Sequence, residues 1–251
     1  MIHVSATFLI CLAGSMLQGA TGFGMALVCM ALMPLVMPLD AVQVVVMWLG
    51  TFSAFMIFLQ LRKHLDWKLV WIPLIAVTVM RYVGVWLVSG GLDMALIKAL
   101  LGAVLILLAI YLAFVNKRLS FKPSPLTGLV AGVVSGLTGG MFNISGPPMV
   151  AYMFKATDDK MKYSACLQLL FFVGGLSNAV FRWLQGTLVP KSGMGTMLAC
   201  IAAGLVAGYI GTRVGVGFLK RLDQKPLSIA VYSVMAASGA IYILQGLGVL
   251  A

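Results

Sequence analysis

Long stretches of this 251-residue chain carry no formal charge, and that feature decides the solvent in which the chain folds. Residues 1–39 contain no Asp, Glu, Lys or Arg, and the same is true of residues 123–154. Overall, 62% of the residues are hydrophobic and 9% are charged, whereas soluble domains average about 25% charged residues. So few charges cannot build a surface that faces water. The sequence therefore predicts an all-α integral membrane protein and excludes a soluble enzyme or binding module.

Eight apolar segments, separated by short polar linkers, are long enough to interact with a bilayer. They cover about residues 4–38, 41–61, 68–89, 94–115, 124–154, 163–183, 192–219 and 226–249. The first and fifth are unusual, because straight helices of that length would measure about 45–50 Å and the hydrocarbon core is about 30 Å thick. Each also contains a glycine cluster followed by proline, residues that interrupt helices. Each is either a tilted broken helix or a re-entrant hairpin that enters and leaves on one face.

The basic residues distinguish these two alternatives. If all eight segments cross the membrane, eight loop cations lie on one side and six on the other. If the two long segments are re-entrant, twelve lie on one side, and only Arg182 and Lys191 lie on the other, which satisfies the positive-inside rule. The twelve are Arg62, Lys63, Lys68, Lys117, Arg118, Lys122, Lys155, Lys160, Lys162, Lys220, Arg221 and Lys225. We therefore predict two re-entrant hairpins, six crossings and both termini outside the cytoplasm. Because the cations form no single basic face, nucleic-acid binding is not predicted.

The two halves of the chain resemble each other in sequence. Three pairs of stretches match in the same order: 18–24 with 135–141, 82–86 with 209–213, and 91–93 with 221–223. The predicted organisation is a first repeat over 1–116, a cytoplasmic linker over 117–123 and a second repeat over 124–251. Each repeat has one hairpin plus three crossings, and an odd number of crossings inverts the second repeat. In inverted repeats the interrupted segments are the best sequence indication of the substrate site.

The sequence predicts no cofactor, metal site or catalytic residue. The four cysteines lie inside apolar segments without C-x-x-C spacing, which is typical of small buried side chains. The two histidines form no ligand set, and the motifs H-E-x-x-H and G-x-S-x-G do not occur. We therefore do not expect an enzyme.

The glycine-rich breaks suit an anion held within the membrane, where a desolvated charge needs hydrogen-bond donors. A break in a hairpin creates a helix N-terminus with free N–H groups and the positive end of the helix dipole. Glycine adds no Cβ that would block the anion. The predicted ligands, facing each other across a pseudo-two-fold axis, are Thr21, Gly22, Gly24, Thr138, Gly139, Gly140 and Asn143. The alternative for any single glycine is close packing between helices.

Arg81 is the most informative charged residue, because it lies 13 residues after Lys68 and 8 before Ser89, deep inside an apolar segment. A charge at the bilayer centre costs about 2.5–3.5 kcal/mol. No Asp lies at the same depth, so an anionic substrate would be the natural counter-ion. The alternatives are snorkelling to the headgroups or a bond to carbonyls of the broken hairpin.

Three other polar residues are candidates for the transport path. Arg213 occupies the matching segment of the second repeat, although it lies only seven residues from Lys220, and snorkelling explains it more simply. Gln168 and Asn178, ten residues apart, share one side of a helix. They either line the path or form hydrogen bonds between helices.

On these motifs the chain resembles the TauE/SafE sulfite-exporter family, also called the toluene-sulfonate uptake permease family. The resemblance covers about residues 5–249. It rests on Gly19-Ala-Thr-Gly-Phe-Gly24, on Gly132-Val-Val-Ser-Gly-Leu-Thr-Gly-Gly140 followed by Gly146-Pro147-Pro148, and on the Gly84 and Gly211 helices that end in Leu-Asp. Where the family often has Gly-x-Gly-Gly-Gly, this chain has Leu137-Thr-Gly-Gly-Met-Phe-Asn143. The resemblance implies an inner-membrane protein that moves sulfite, sulfonates or related small oxyanions.

The positions of the acidic residues indicate which driving force transport can use. All six Asp lie at segment ends, and Asp40 is only a marginal candidate for a buried proton relay. Export of an anion needs no such relay, because the membrane potential supplies about 2.3 kcal/mol per charge per 100 mV. We predict facilitated export by alternating access around the paired hairpins. An anion channel, an uptake permease and a structural subunit remain alternatives, and a homodimer is compatible with the sequence.

Overall fold

The protein is nearly all helical, in a computed structural model that describes residues 2–21, 24–90, 92–115, 122–189, 194–219 and 224–249. No β-strand occurs within these ranges, which confirms the all-α prediction. The α-helices are α1 (Ile2–Thr21), α2 (Met25–Leu32), α3 (Leu39–Leu61), α4 (Trp67–Ser89), α5 (Met94–Ile110), α6 (Pro125–Phe142), α7 (Gly146–Ala156), α8 (Lys160–Leu184), α9 (Met194–Leu219) and α10 (Gln224–Gly246). The predicted linker lies mostly outside the described residues.

Six helical stretches within the described ranges are long and apolar enough to cross a membrane. They are Leu39–His64, Trp67–Ser89, Met94–Phe114, Pro125–Phe142, Lys160–Leu184 and Met197–Val214. Five of them coincide with predicted crossings, and α10 occupies the remaining predicted crossing. The stretch in α6 belongs instead to a segment that we predicted to be a hairpin, and its length alone would allow a crossing.

The first long segment folds back on itself. Cys11 of α1 faces Cys29 of α2, with 3.8 Å between the two sulfur atoms. Nearer the break, the Ser15 hydroxyl donates to Met25 Sδ at 3.2 Å. Residue numbers fall along α1 as they rise along α2, so the two helices run antiparallel as a hairpin.

The second long segment also breaks into two helices that contact each other. Asn143 ends α6 in the left-handed conformation, with φ of 58°, which Asn tolerates better than most residues. Pro147 and Pro148 then occupy the first turn of α7, where their missing N–H groups cost little. The ring of Tyr152 lies against Gly128 near the start of α6. This segment is therefore also a helical hairpin, with its tip around Asn143.

Helices of the two repeats interlock. The most extensive contacts join α1 to α9, α4 to α6, α5 to α10 and α3 to α8. In the predicted repeats, α1 to α5 correspond in order to α6 to α10. Exchanging each helix with its counterpart turns the α1–α9 pair into the α6–α4 pair and leaves the α5–α10 and α3–α8 pairs unchanged. Every one of these pairs joins a helix from the first half of the chain to one from the second.

Interlocking pairs depend on glycine at the point of contact, among them α4–α6 and α1–α9. A Cβ on Gly84 would lie 2.5 Å from the Leu137 carbonyl oxygen, and a Cβ on Gly211 would lie 2.6 Å from the Leu12 carbonyl oxygen. These glycines occupy matching positions in the sequence repeats. Both allow two helix backbones to touch, as small residues do in membrane proteins.

The loops before α4 and α8 meet at one end of the molecule. Lys162 Nζ lies 3.2 Å from Asp66 Oδ2, and Lys63, His64 and Lys68 line the same recess. Lys63, Lys68 and Lys162 belong to the predicted cytoplasmic set. Arg182, which we assigned to a loop on the opposite side, instead lies within α8 and is only 2% exposed. That assignment was wrong because the helix continues to Leu184 and turns the guanidinium inward.

Asp66 provides a test of how α4 begins. Its Oδ1 accepts a hydrogen bond from the Lys68 N–H at 3.1 Å, and the Lys162 ammonium, followed by this backbone bond, lowers the carboxyl pKa below its usual value. Replacing Asp66 with alanine is expected to cost about 1 kcal/mol of stability, whereas asparagine, which also caps helices, should retain most of it. Because the pKa is lowered in the folded state, the advantage of Asp over Asn is present above pH ~4 and is lost as the pH falls further. Thermal unfolding in detergent measures both effects, and equal loss in the two variants would contradict the capping role.

Candidate functional site

A cavity of about 80 Å³ lies where the tips of the two hairpins meet α3, α4 and α8. A water molecule needs only about 10–15 Å³ of such space, so this tip cavity has room for a small oxyanion. The residues that give it its chemistry are Gly24, Met25, Arg81, Asn143, Ser145 and Gln168. The fold therefore brings both interrupted segments to one site.

Arg81 of α4 places a buried guanidinium in the tip cavity. The residue is only 4% exposed, and its Nη2 donates a hydrogen bond to the Ser145 hydroxyl. Nε has no hydrogen-bond partner among the described residues. A buried donor without a partner costs about 1–3 kcal/mol, and more when it is charged. The side chain is thus poised to donate to a ligand.

Two glycines leave the space that this guanidinium occupies. A Cβ on Gly139 of α6 would lie 2.6 Å from Arg81 Nη2, and a Cβ on Gly174 of α8 would lie 2.9 Å from Arg81 Cζ. Any larger residue at either position would displace the side chain. The glycine cluster of the second repeat therefore positions the arginine, a function that the sequence did not reveal.

Two helix N-termini point their positive ends at the same cavity. Gly24, whose φ is 126°, precedes α2, and Ser145 precedes α7. The first N–H groups of a helix have no partner within the helix. In α7 the prolines at 147 and 148 remove two of these donors, so fewer backbone N–H groups are available there than at the start of α2.

Gln168 of α8 contributes a second unsatisfied group. It is 2% exposed, and its Oε1 has no hydrogen-bond partner among the described residues. The described residues that line the tip cavity include no carboxylate. Arg81 and the two dipoles therefore make the cavity electropositive, as an anion requires.

A hydrogen-bonded cluster of three amide side chains, Gln43, Asn143 and Asn178, supports the second hairpin tip. Asn178 Nδ2 donates to Asn143 Oδ1 at 2.8 Å, and Asn143 Nδ2 donates to the Gln43 carbonyl oxygen at 2.7 Å. Gln43 Nε2 in turn donates to the Met141 carbonyl oxygen at 2.8 Å. This amide cluster ties α3 and α8 to the break between α6 and α7.

The other predicted site residues lie elsewhere. Arg213 is on the exposed side of α9, with its guanidinium 4.8 Å from the centre of the Tyr209 ring, and it does not line the tip cavity. Gly140 packs against the α4 backbone, and the Thr138 hydroxyl lies 2.9 Å from the Val134 carbonyl oxygen.

In the first hairpin, Thr21 ends α1, but its side chain is not described, and Gly22 lies outside the described residues. Of the predicted ligands, Gly24, Arg81, Asn143 and Gln168 line the cavity.

Sequence reasoning missed Ser145 and Arg182. Ser145 follows the glycine motif directly and precedes Gly146-Pro147, so an N-cap was recognisable from the spacing. Arg182 is four residues after Asn178 and shares its face of α8, a signal that the assumed loop position obscured.

A comparison with protein families identifies the family of the chain. The family model described as "Sulfite exporter TauE/SafE" matches residues 6–242 of the chain. The chain belongs to this family. The resemblance noted from the glycine motifs is thereby confirmed, and together with the six apolar helices it makes this TauE/SafE member a multi-pass membrane protein.

A curated relative gives a second comparison for this TauE/SafE member. The "Probable sulfite/organosulfonate exporter TauE" of Cupriavidus necator is 27% identical over 187 residues, which cover 70% of this chain and 70% of that protein. No solved structure matches the chain.

Proposed function

We propose that this protein exports a small oxyanion of the sulfite or organosulfonate class and that the anion binds in the tip cavity. The observation that carries the proposal is the buried Arg81 guanidinium, whose Nε lacks a hydrogen-bond partner among the described residues. Within a membrane, such a charge marks a pathway or a partner by default. An anion accepting from Nε would supply both the missing counter-charge and the missing hydrogen bond.

The chemistry of the cavity favours an oxyanion with several oxygens. The planar guanidinium can donate two parallel hydrogen bonds to one sulfonate or sulfite group. The N-terminus of α2 and the hydroxyl of Ser145 lie on other walls of the same space. The name of the Cupriavidus necator relative refers to sulfite and organosulfonates, which is the same chemical class.

The remaining walls suit an organic substituent. Met47, Ala54 and Phe171 line the cavity beside the polar groups, so a short carbon chain would contact apolar side chains. Such a mixture of an apolar surface and a few fixed polar groups is typical of small-molecule sites. We therefore include small sulfonates, such as sulfoacetate, in the proposed substrate class.

The proposed topology is an inverted repeat in the inner membrane, with both termini outside the cytoplasm. The α1–α9 contact has a counterpart in the α6–α4 contact of the corresponding helices, which supports a pseudo-two-fold axis. The two helical hairpins support re-entrant segments. The basic loops before α4 and α8 lie together at one end, in agreement with the positive-inside rule. Pro125–Phe142 is then an arm of a re-entrant hairpin, although it is long enough to cross.

Alternating access is the mechanism that we propose in preference to an open channel. The amide cluster lies between the tip cavity and a second cavity, which Gln43 and Arg182 line. A permanently open channel would need a continuous path at this point. The membrane potential by itself favours outward movement of an anion, and we propose it as the driving force.

Flux into proteoliposomes tests the proposed function. Purified protein should move labelled sulfite in a saturable manner, show counterflow, and be competed by sulfoacetate or isethionate more strongly than by lactate. Flux that increases linearly with sulfite concentration would favour a channel. No flux of any of these anions, with protein shown to be folded and inserted, would overturn the proposal and revive a structural role.

A negative charge at position 168 tests whether an anion binds beside Gln168. Replacing it with glutamate is nearly isosteric but adds a negative charge to the cavity, and like charges brought together cost several kcal/mol. We expect the half-saturating sulfite concentration to rise by about tenfold or more. Methionine at the same position, which removes the polar group without adding charge, should have a smaller effect. Equal sulfite affinity in the glutamate variant and the wild type would contradict an anion at this position.

A further inference from the structure

A second cavity, of about 230 Å³, lies on the other side of the amide cluster from the tip cavity. We call it the outer cavity, because its walls come from the starts of α3 and α5 and the ends of α4 and α8, opposite the basic loops. Arg182, Gln43, Asp40, Ser89 and Thr187 provide its polar surface.

Arg182 joins the outer cavity to the amide cluster. Its Nε donates to Asn178 Oδ1 at 3.2 Å, and its Nη2 donates to Gln43 Oε1 at 3.0 Å. Both of these partners are neutral amides. Asp40 is a carboxylate in the lining of the same cavity. Arg182 is thus a second buried cation beside a space large enough for the proposed substrate.

One face of α8 connects the two cavities. Gln168 and Phe171 line the tip cavity, Asn178 belongs to the amide cluster, and Arg182 lines the outer cavity. Their spacing of three, seven and four residues places them on a single helical stripe. The stripe spans 14 residues, or about 21 Å along the helix axis, most of the thickness of the hydrocarbon core.

The residues of the amide cluster contribute to both cavities. Asn143 contributes to the tip cavity and Gln43 to the outer cavity, and Asn178 binds both Asn143 and Arg182. Amide side chains carry donors as well as acceptors, so an anion can replace their present acceptors without leaving a buried donor unpaired. The cluster can therefore open around an anion at a modest cost.

We propose that Arg182 is a second binding station for the transported oxyanion and that Gln43, Asn143 and Asn178 form the gate between it and Arg81. This inference rests on the proposed export function and adds an exit step to it. The anion leaves the Arg81 guanidinium, displaces the amide contacts, and is held by Arg182 before release from the outer cavity. Arg182 then governs the rate of exit, whereas Arg81 governs binding.

The first test separates binding from transport with sulfite as the probe. In Arg182→Met, the sulfite-dependent rise in melting temperature should occur at concentrations within about twofold of the wild type, while sulfite efflux should fall by about tenfold or more. Arg182→Lys, which keeps the charge but loses the planar fork, should recover part of the rate. Lys98→Met is the matched control, because it also replaces a cation with methionine. Lys98 lies near the start of α5 and does not line the outer cavity.

A second pair of variants leaves Arg182 in place and so does not risk its packing. Thr187 follows α8, is half-buried, and its N–H donates to the Arg182 carbonyl oxygen at 2.8 Å. Thr187→Asp would place a fixed carboxylate in the outer cavity to compete for Arg182, whereas Thr187→Asn adds a group of similar shape without charge. Both variants lose the threonine hydroxyl, so the comparison is between them, and we expect efflux to be about tenfold slower or more with aspartate than with asparagine.

Equal efflux rates in these two Thr187 variants would overturn the second station, as would a normal rate in Arg182→Met. If Arg182→Met does not fold, the Thr187 pair decides alone. Failure of the underlying export function gives a different result, because neither a melting shift nor efflux would then occur in the wild type or in Lys98→Met.

Discussion

Replacing Arg81 with methionine is expected to abolish oxyanion transport while leaving the protein at least as stable as the wild type. The guanidinium is 4% exposed, its Nε lacks a partner among the described residues, and the described lining of the tip cavity includes no carboxylate. Removal of an uncompensated buried charge relieves its desolvation cost. If Arg81 served only the fold, its removal would instead free the Ser145 hydroxyl and disturb the packing between α6 and α8.

Thermal unfolding and efflux, measured together, distinguish these two roles. Sulfite at about 100 times its dissociation constant should stabilise the wild type by about 2.7 kcal/mol, and this shift should vanish in Arg81→Met. Arg81→Lys should bind weakly, because lysine keeps the charge but loses the two parallel donors. An unstable Arg81→Met protein, or one that sulfite still stabilises against unfolding, would show that Arg81 does not bind the anion.

Replacing the neighbouring residues Gly139 and Gly140 with alanine should affect different properties, transport in the first case and folding in the second. A Cβ on Gly140 would collide with the Arg81 carbonyl oxygen and lie 3.0 Å from the Gly84 Cα, and both of these are backbone atoms that cannot move independently. Gly140→Ala should therefore yield little folded protein. A Cβ on Gly139 meets the Ser145 hydroxyl and the end of the Arg81 side chain, which are able to rotate away. Gly139→Ala should fold but lose transport.

The fraction of monodisperse protein in detergent and the sulfite efflux rate are the two measurements for this pair. Gly208→Ala is the control, since the nearest atom to its Cβ would be Ser15 Oγ at an ordinary 3.6 Å, and alanine favours a helix. A stable Gly140→Ala protein that fails to bind sulfite would show that Gly140 contacts the anion and does not serve packing.

The positions of the helices, the two breaks and Arg81 were predictable because each follows from a local property of the sequence. Uninterrupted apolar residues require helices in lipid, clusters of glycine and proline break them, and a lone arginine in an apolar segment requires a partner. The family follows from the same glycine motifs, which lie within the matched residues. These inferences need no knowledge of which helix packs against which.

The composition of the site could not be predicted, because it depends on contacts between distant residues. Gly139 and Gly140 are adjacent in sequence, yet one adjoins the arginine side chain and the other adjoins its backbone. Arg182 is one residue from the end of the apolar segment 163–183, where a loop and a buried helix turn have the same local sequence. Only the contacts with Gln43 and Asn178 show that it faces inward.

In the alternating access that we propose, the interlocked helix pairs restrict the movement that opens the site to one side or the other. Gly84 joins α4 to α6, and Gly211 joins α9 to α1, in both cases by contact between backbones. If the two sequence repeats separated as blocks, both contacts would break at once. The bodies that move past each other must therefore be mixed units, each built from helices of both repeats. α3 and α8 are the remaining interlocked pair at the site, and the two cavities and the amide cluster lie along them. The boundaries of the proposed motion thus differ from the boundaries of the predicted sequence repeats.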